Sequence, residues 1–289
     1  MSAITAQTGF AHLEDLPCYK LTFGEASAVI SLYGGQVLSY QSKPAQEHLW
    51  LSPLARWQQQ QPIRGGVPVC WPWFGPIAAE LNPQQLTLPN HGLVRTRFWN
   101  LLDTTVSEEA TTLRLSIAVA DFPYRDSSPS SDKHEPAPVL ILTLCLTAHS
   151  LSINLTCDTP MLQQAALHSY FSISDLATIQ LHGIGTTYRD KVKQNAEVIA
   201  DRPLSFNQEI DRVYTKPAAL LLLESTKQKL GLEQQGFDST VVWNPAAERS
   251  KAMADLTADG YQQFVCVETA RLGLNQANAL NLTQLLLPT

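Results

Sequence analysis

Two residues a hundred positions apart have side chains that can take up and release protons. His168 stands in "ALHSYFSISD" and Glu268 in "QFVCVETA". The unperturbed pKa of histidine, ~6.5, lets it exchange protons near neutral pH. A glutamate that follows a buried apolar strand can be held in a partly dry cleft, which raises its pKa toward values useful to an acid or base. Each also has a plainer explanation. A single histidine on a strand face is more often a structural residue with a satisfied hydrogen bond, and a carboxylate that ends a strand is usually solvated.

Three further stretches offer groups that would bind a polar ligand. In "PIRGGVPVCWPWFGP", Arg64 offers a rigid fork of donors beside aromatic side chains that pack well on apolar sugar faces. In "LPNHGLVRTRFW", Asn90, His91 and Arg95 lie close together, and strand alternation would put Arg95 and Arg97 on one face. In "EIDRVYT", Asp211 is either half of a surface ion pair with Arg212 or an acceptor for sugar hydroxyls. The alternative for the first two is a rigid surface loop and a turn leading into a strand with solvated arginines. A metal site from His91, His168 and Glu268 would be a two-histidine, one-carboxylate set. Nothing in the spacing favours it. No HExxH, GxSxG, Walker A or GxGxxG pattern is present.

The elements that must position these residues are strands. Residues 19–23, 27–33 and 36–41 are short, rich in β-branched and aromatic residues, and separated by Gly24 and the pair Gly34-Gly35. Residues 111–120, 139–148 and 151–158 alternate apolar with polar or small residues, and the last two read as a hairpin. In the stretch around His168, alternation puts Ala166, His168 and Tyr170 on one face and Leu167, Ser169 and Phe171 on the other. Helical signals are confined to short segments at 51–61 and 244–256. Residues 121–138 are polar and rich in proline and serine. Because the strand pattern is the same on both sides, this segment is expected to be a surface loop within a single domain spanning 1–289. The resulting expectation is an all-β chain forming one large antiparallel β-sandwich.

Composition narrows the functional classes. Among 289 residues, 44% are apolar and 16% charged, enough for a large core and too little charge for a disordered chain. A net charge of −6 lacks the basic footprint of a nucleic-acid binder. No apolar run approaches the ~18 residues of a membrane span. The five cysteines are widely spaced without CxxC, and residues 1–20 lack the pattern of a secretory signal. A reducing, cytoplasmic setting is expected, with neither nucleic-acid nor membrane partners.

Taken together, "IRGGVPVCWPWFG", "LPNHGLVR", "ALHSYFSISD", "IDRVY" and "VCVE" occur in the order seen in aldose 1-epimerases. They most resemble the hexose-6-phosphate mutarotase branch of that family, over residues 19 to the C-terminus. The resemblance implies a galactose-mutarotase-like supersandwich with few short helices and an open sugar cleft. It implies His168 as general acid and Glu268 as general base. Arg64, Asn90, Arg95 and Asp211 match substrate-binding positions, and His91 a second cleft histidine. The implied substrate is a small hexose phosphate such as glucose 6-phosphate, handled by a monomer without metal or other cofactor. Trp71 and Trp73 stand where the family often has phenylalanine and glutamine, Asn90 where it often has glutamine, and "VETA" replaces the usual "VEPG" or "VEPA". The alternatives are a sugar-binding protein without turnover, an epimerase of unphosphorylated aldoses, and a lyase or glycosidase on a similar sandwich. A glycosidase would need two cleft carboxylates.

Overall fold

Buried and exposed side chains alternate along many of the strands, as they must when one face of a sheet packs on a core and the other meets solvent. The computed structural model describes residues 2–122, 136–200, 204–225 and 228–289, and its strands form three antiparallel sheets. The first holds Ala3–Phe10, Leu13–Phe23, Ala26–Ser31 and Gln36–Gln41 in sequence order. The second runs, in spatial order, Gln180–His182, Leu220–Glu224, Lys229–Gln235, Asn278–Pro288, Leu151–Met161, Val139–Leu146, Thr111–Ala118 and Asn100–Val106. The third runs Ala196–Ile199, Thr187–Asp190, Ile210–Tyr214, Ser239–Asn244, Phe264–Arg271, Ala165–Leu167 and Val69–Cys70, with Tyr170–Ser172 also paired to Phe264–Arg271.

The inner faces of the two large sheets meet in an apolar core. Leu142, Ile153 and Leu282 from one sheet and Leu167, Val242 and Val265 from the other belong to a single buried cluster that also takes in Leu21 and Ile30 of the four-stranded sheet. Each such side chain contributes ~1.5–3 kcal/mol by leaving water. The outer face of the third sheet is the one that carries Asp211, His168 and Glu268.

The all-β architecture is as the alternation predicts, and several elements sit where expected. Gln36–Gln41 has the bounds read from sequence. Val139–Leu146 and Leu151–Met161 form the expected hairpin, with Leu146 paired to Leu151. The helical segment near 244–256 is one short α-helix, Ala246–Ala252, whose first N–H is met by Asn244 Oδ1 at 3.0 Å. The segment at 51–61 yields only a 3-10 turn, Gln58–Gln60. The expected strand after "NHGLVR" is absent: residues 92–97 are loop, and the strand begins at Asn100. Most of the expected surface loop at 121–138 lies outside the described residues.

Candidate active site

The register of one sheet brings the two proton-handling residues together. Leu167 pairs with Thr269 and Tyr170 with Cys266, so the intervening His168 lies directly opposite Glu268 on the neighbouring strand. His168 Nδ1 is 3.5 Å from Glu268 Oε1. The two groups are in close contact without a hydrogen bond, since Nδ1 has no hydrogen-bond partner. Glu268 does not end its strand as expected. Phe264–Arg271 continues past it, which leaves the carboxylate in mid-strand and 1% exposed. The strand around His168 is interrupted at His168–Ser169, and the His168 N–H donates instead to Pro68 O at 3.0 Å.

The remaining floor follows from alternation on the same face. Trp243 and Val241 sit on Ser239–Asn244, paired to Cys266 and Glu268, and Asp211 pairs with Trp243. Tyr170 stacks on His168 with ring centroids 4.9 Å apart and planes 6° from parallel. Its hydroxyl accepts from Arg64 Nη1 at 2.8 Å, while Arg64 Nε donates to Asp255 Oδ2 at 3.0 Å. The imidazole therefore rests on a ring that is itself held at its far end.

Loops build the walls, and two glycines are needed where backbone passes backbone. A Cβ on Gly66, at φ +61°, would meet Val37 O at 2.1 Å. One on Gly92, at φ +85°, would meet Trp71 O at 2.0 Å. These contacts draw the "RGG" and "NHG" loops against the rest of the molecule. Leu93 N–H donates to Trp71 O at 2.8 Å and His91 N–H to Gly75 O at 2.9 Å. His91 Nδ1 accepts the Gly75 N–H at 3.3 Å, which assigns the proton of its neutral ring to Nε2.

All seven residues singled out from the sequence line one cavity of about 520 Å³. Asn90 sits at its exposed rim. Arg95 faces the cavity, whereas Arg97 pairs with Asp121 at 2.5 Å, so the two do not share a face as strand alternation would require. Arg212 lies over the Tyr188 ring rather than pairing with Asp211. Asp211 faces Lys191, whose Nζ is 3.8 Å from Oδ1 and 4.7 Å from the Phe74 ring centroid. Sequence reasoning missed Lys191, Tyr170 and Asp255. Lys191 follows the end of Thr187–Asp190 and carries no local pattern; Tyr170 was legible only as a neighbour of His168 on one face.

The electrostatics of the floor are those of a dry site. Burial pushes the His168 pKa well below its ordinary value of 6.5, helped by His91, Arg95 and Arg64. Burial likewise lifts Glu268 well above the carboxylate range; Lys191 and Arg95 pull it back, while Asp211 pushes it up. His91 is held low by burial and by the same cations. Burial also raises Asp211, against the pull of Lys191. In the free cleft, burial and the neighbouring cations thus work against a proton on His168 near neutrality. Beneath His91, the Cys70 thiol is pushed up to about 12 and stays neutral.

Six buried side-chain atoms among the described residues have no hydrogen-bond partner, and three of them belong to His168 Nδ1, Glu268 Oε2 and Arg95 Nε. Buried polar atoms are nearly always paired, so three orphans on residues that line one cavity leave unused hydrogen-bonding capacity beside it. The described residues contain no cluster of three or more His, Cys, Asp or Glu arranged to hold a metal ion, and no helix long and apolar enough to cross a membrane.

A family model for aldose 1-epimerase matches residues 17–280. A Salmonella typhimurium protein named "Putative glucose-6-phosphate 1-epimerase" is 31% identical over 260 residues, covering 89% of this chain and 84% of that protein. An Escherichia coli protein of the same name is 32% identical over 261 residues, with the same coverage of each. Among solved structures, that of the Salmonella typhimurium "putative mutarotase (YeaD)" matches at a TM-score of 0.83 and 28% identity, covering 99% of this chain and 97% of that one. Galactose 1-epimerase from Lactobacillus acidophilus shares the fold at a TM-score of 0.73 and 14% identity, covering 100% and 98%.

Proposed function

The chain belongs to the aldose 1-epimerase family, and from that premise we propose that it interconverts the α and β anomers of a hexose 6-phosphate such as glucose 6-phosphate. The observation that carries the reading is the cross-strand pair of His168 and Glu268, buried 3.5 Å apart on the floor of the cavity, each with a polar atom that has no hydrogen-bond partner. As the C1–O5 bond breaks, O1 loses its proton and the ring oxygen gains one, which leaves the open-chain aldehyde. Rotation about C1–C2 presents the other carbonyl face, and closure re-forms C1–O5 with both proton transfers reversed. In the proposed cycle Glu268 takes the O1 proton and His168 protonates the ring oxygen.

The pair needs one proton in total. With the proton on Glu268 the pair is neutral, the form that burial favours. Transfer to His168 gives the ion pair, in which the carboxylate is stabilised by Arg95 and Lys191. The titration belongs to the pair as a unit. Its second proton binds well below pH 6.5, because burial and the nearby cations oppose the imidazolium. Long-range ¹H–¹⁵N spectra of the free protein should therefore show a neutral His168 ring at pH 6.5. An imidazolium signature there would contradict the burial argument.

For the phosphate, Arg95 is the supported contact. Arg64 is engaged by Asp255 and Tyr170, and Arg249 by Glu209 at 2.6 Å, whereas Arg95 Nε is unpaired. Charge-assisted bonds to a dianion are worth ~1.5–3 kcal/mol each, or about 10–100-fold in affinity. Arg95→Ala should raise the KM for glucose 6-phosphate by about that factor and leave glucose nearly unaffected. Equal losses on both sugars would assign Arg95 to the ring hydroxyls instead.

The enzyme is proposed to act on a free small molecule in a reducing cytoplasm, which the free state of Cys18, Cys70, Cys145, Cys157 and Cys266 supports. The direct test is NMR saturation transfer between the anomers of glucose 6-phosphate. Exchange no faster with the protein than without it would overturn the proposal.

A further inference from the structure

The sheet packed beneath His168 and Glu268 carries polar residues on its core-facing side where the pattern calls for apolar ones. On Asn278–Pro288 the row facing the core reads Leu280, Leu282, Gln284 and Leu286, all buried. Across the strand pair, Gln284 meets Gln234, which is also buried. Between the two large sheets these amides join Ser169, Thr269 and Thr240, and all five side chains are at most 2% exposed.

The hydrogen bonds fix one proton order. Gln234 Oε1 accepts from both Thr240 Oγ1 at 2.9 Å and Thr269 Oγ1 at 3.0 Å, while its Nε2 donates to Ala218 O at 3.2 Å. With its own proton committed, Thr269 Oγ1 accepts from Gln284 Nε2 at 2.9 Å. The same Nε2 donates to Val267 O at 3.2 Å, which leaves Gln284 Oε1 to accept from Ser169 Oγ at 2.5 Å. Every side-chain polar atom of the five has a hydrogen-bond partner, the condition that lets a buried polar network specify a geometry rather than weaken a core.

The location of this network gives it a purpose. Ser169 directly follows His168, and Val267 and Thr269 flank Glu268. The ladder between these strands thins at His168–Ser169: the His168 N–H faces Pro68 O, the Ser169 N–H turns back to Leu167 O, and Val267 N–H donates across to Ser169 O at 3.2 Å. Backbone pairing is thin where the proton-transfer geometry must be tightest. Gln284 reaches both strands from the opposite sheet, through Ser169 Oγ on one and through Val267 O and Thr269 Oγ1 on the other.

We propose that Gln284, supported by Gln234, is a positioning residue. It holds the backbone of His168 and Glu268 in cross-strand opposition from the side of the sheet that substrate never touches. The inference rests on the acid–base reading given above. A shift of about 1 Å in a reacting group costs on the order of 10²-fold in rate.

Gln284→Leu should therefore lower kcat for anomer exchange by ~10–100-fold while KM stays within about twofold. Leu282→Ala, which opens a cavity in the same core-facing row without touching the network, should leave kcat within about twofold at a comparable loss of Tm. If Gln284→Leu does not fold, Ser169→Ala removes one hydroxyl with almost no change in volume and should lower kcat in the same way by ~3–10-fold. Wild-type kcat in both network variants, or equal kcat losses in Gln284→Leu and Leu282→Ala, would reduce the network to a structural role. His168→Ala measured alongside separates the two levels. If it is inactive while the network variants match wild type, only this inference fails. Normal exchange in His168→Ala would remove the acid–base reading and this inference with it.

Discussion

Glu268→Gln should slow the exchange of glucose 6-phosphate anomers by ~10²–10⁴-fold, the usual worth of one positioned acid or base. The substitution preserves volume and places a neutral amide where burial already favours a neutral acid, so the strand should remain intact. What is lost is an atom that can alternately take and return a proton. His168→Ala should cost a comparable factor, with the added loss of the ring stacked on Tyr170. The double variant should be little worse than either alone, because the two residues act as one unit and their effects do not add. Saturation-transfer rates at matched protein concentration decide the matter, and near-normal exchange in either single variant rules out the acid–base assignment.

The second large effect is expected from a residue that touches no substrate. In Gly92→Ala the new methyl would lie 2.0 Å from Trp71 O, and the residue is held at φ +85°. The obstacle is a backbone carbonyl, so no side chain can swing aside to relieve it. Overpacking against backbone and a strained left-handed residue each cost ~1–3 kcal/mol, which gives about 3 kcal/mol or more together. At ~2–4 °C per kcal/mol, Tm should fall by about 6–12 °C. The "NHG" loop must then move off Trp71, taking His91 and Arg95 with it, so KM should rise as well. A melting temperature within about 2 °C of wild type would show that the loop relaxes without cost.

The strands were legible where alternation is strict, as in the hairpin of Val139–Leu146 and Leu151–Met161. Alternation misled at "VRTRFW". There the spacing imitates a strand, but the loop is held by bonds to Trp71 and Gly75, and Arg97 turns away to Asp121. At Glu268 the carboxylate reads as the end of the apolar run 264–267, but the strand continues to Arg271. Thr269 is a core-facing member of a hydrogen-bonded network. The site residues were legible as types, since each carries a group suited to sugars or protons. Their convergence was not, because it depends on the register between strands a hundred residues apart, which no local pattern encodes. Lys191 lies beyond local reading for the same reason: only the fold brings it to Asp211.

That register has a consequence for how the chain can drift. Along Ala165–Ser172 and Phe264–Arg271 the pairing advances one residue for one residue, with no bulge to absorb an extra position. Exchanging one apolar side chain for another on the core face changes packing locally, and the Lactobacillus acidophilus epimerase keeps the fold at 14% identity. Deleting or inserting a single residue in either strand would instead turn every later side chain over, sending the imidazole or the carboxylate into the core. The gene can therefore tolerate wide change in spelling here but none in length. A mutant library that samples substitutions in these two segments should retain active members, whereas one that samples single-codon insertions and deletions should retain almost none.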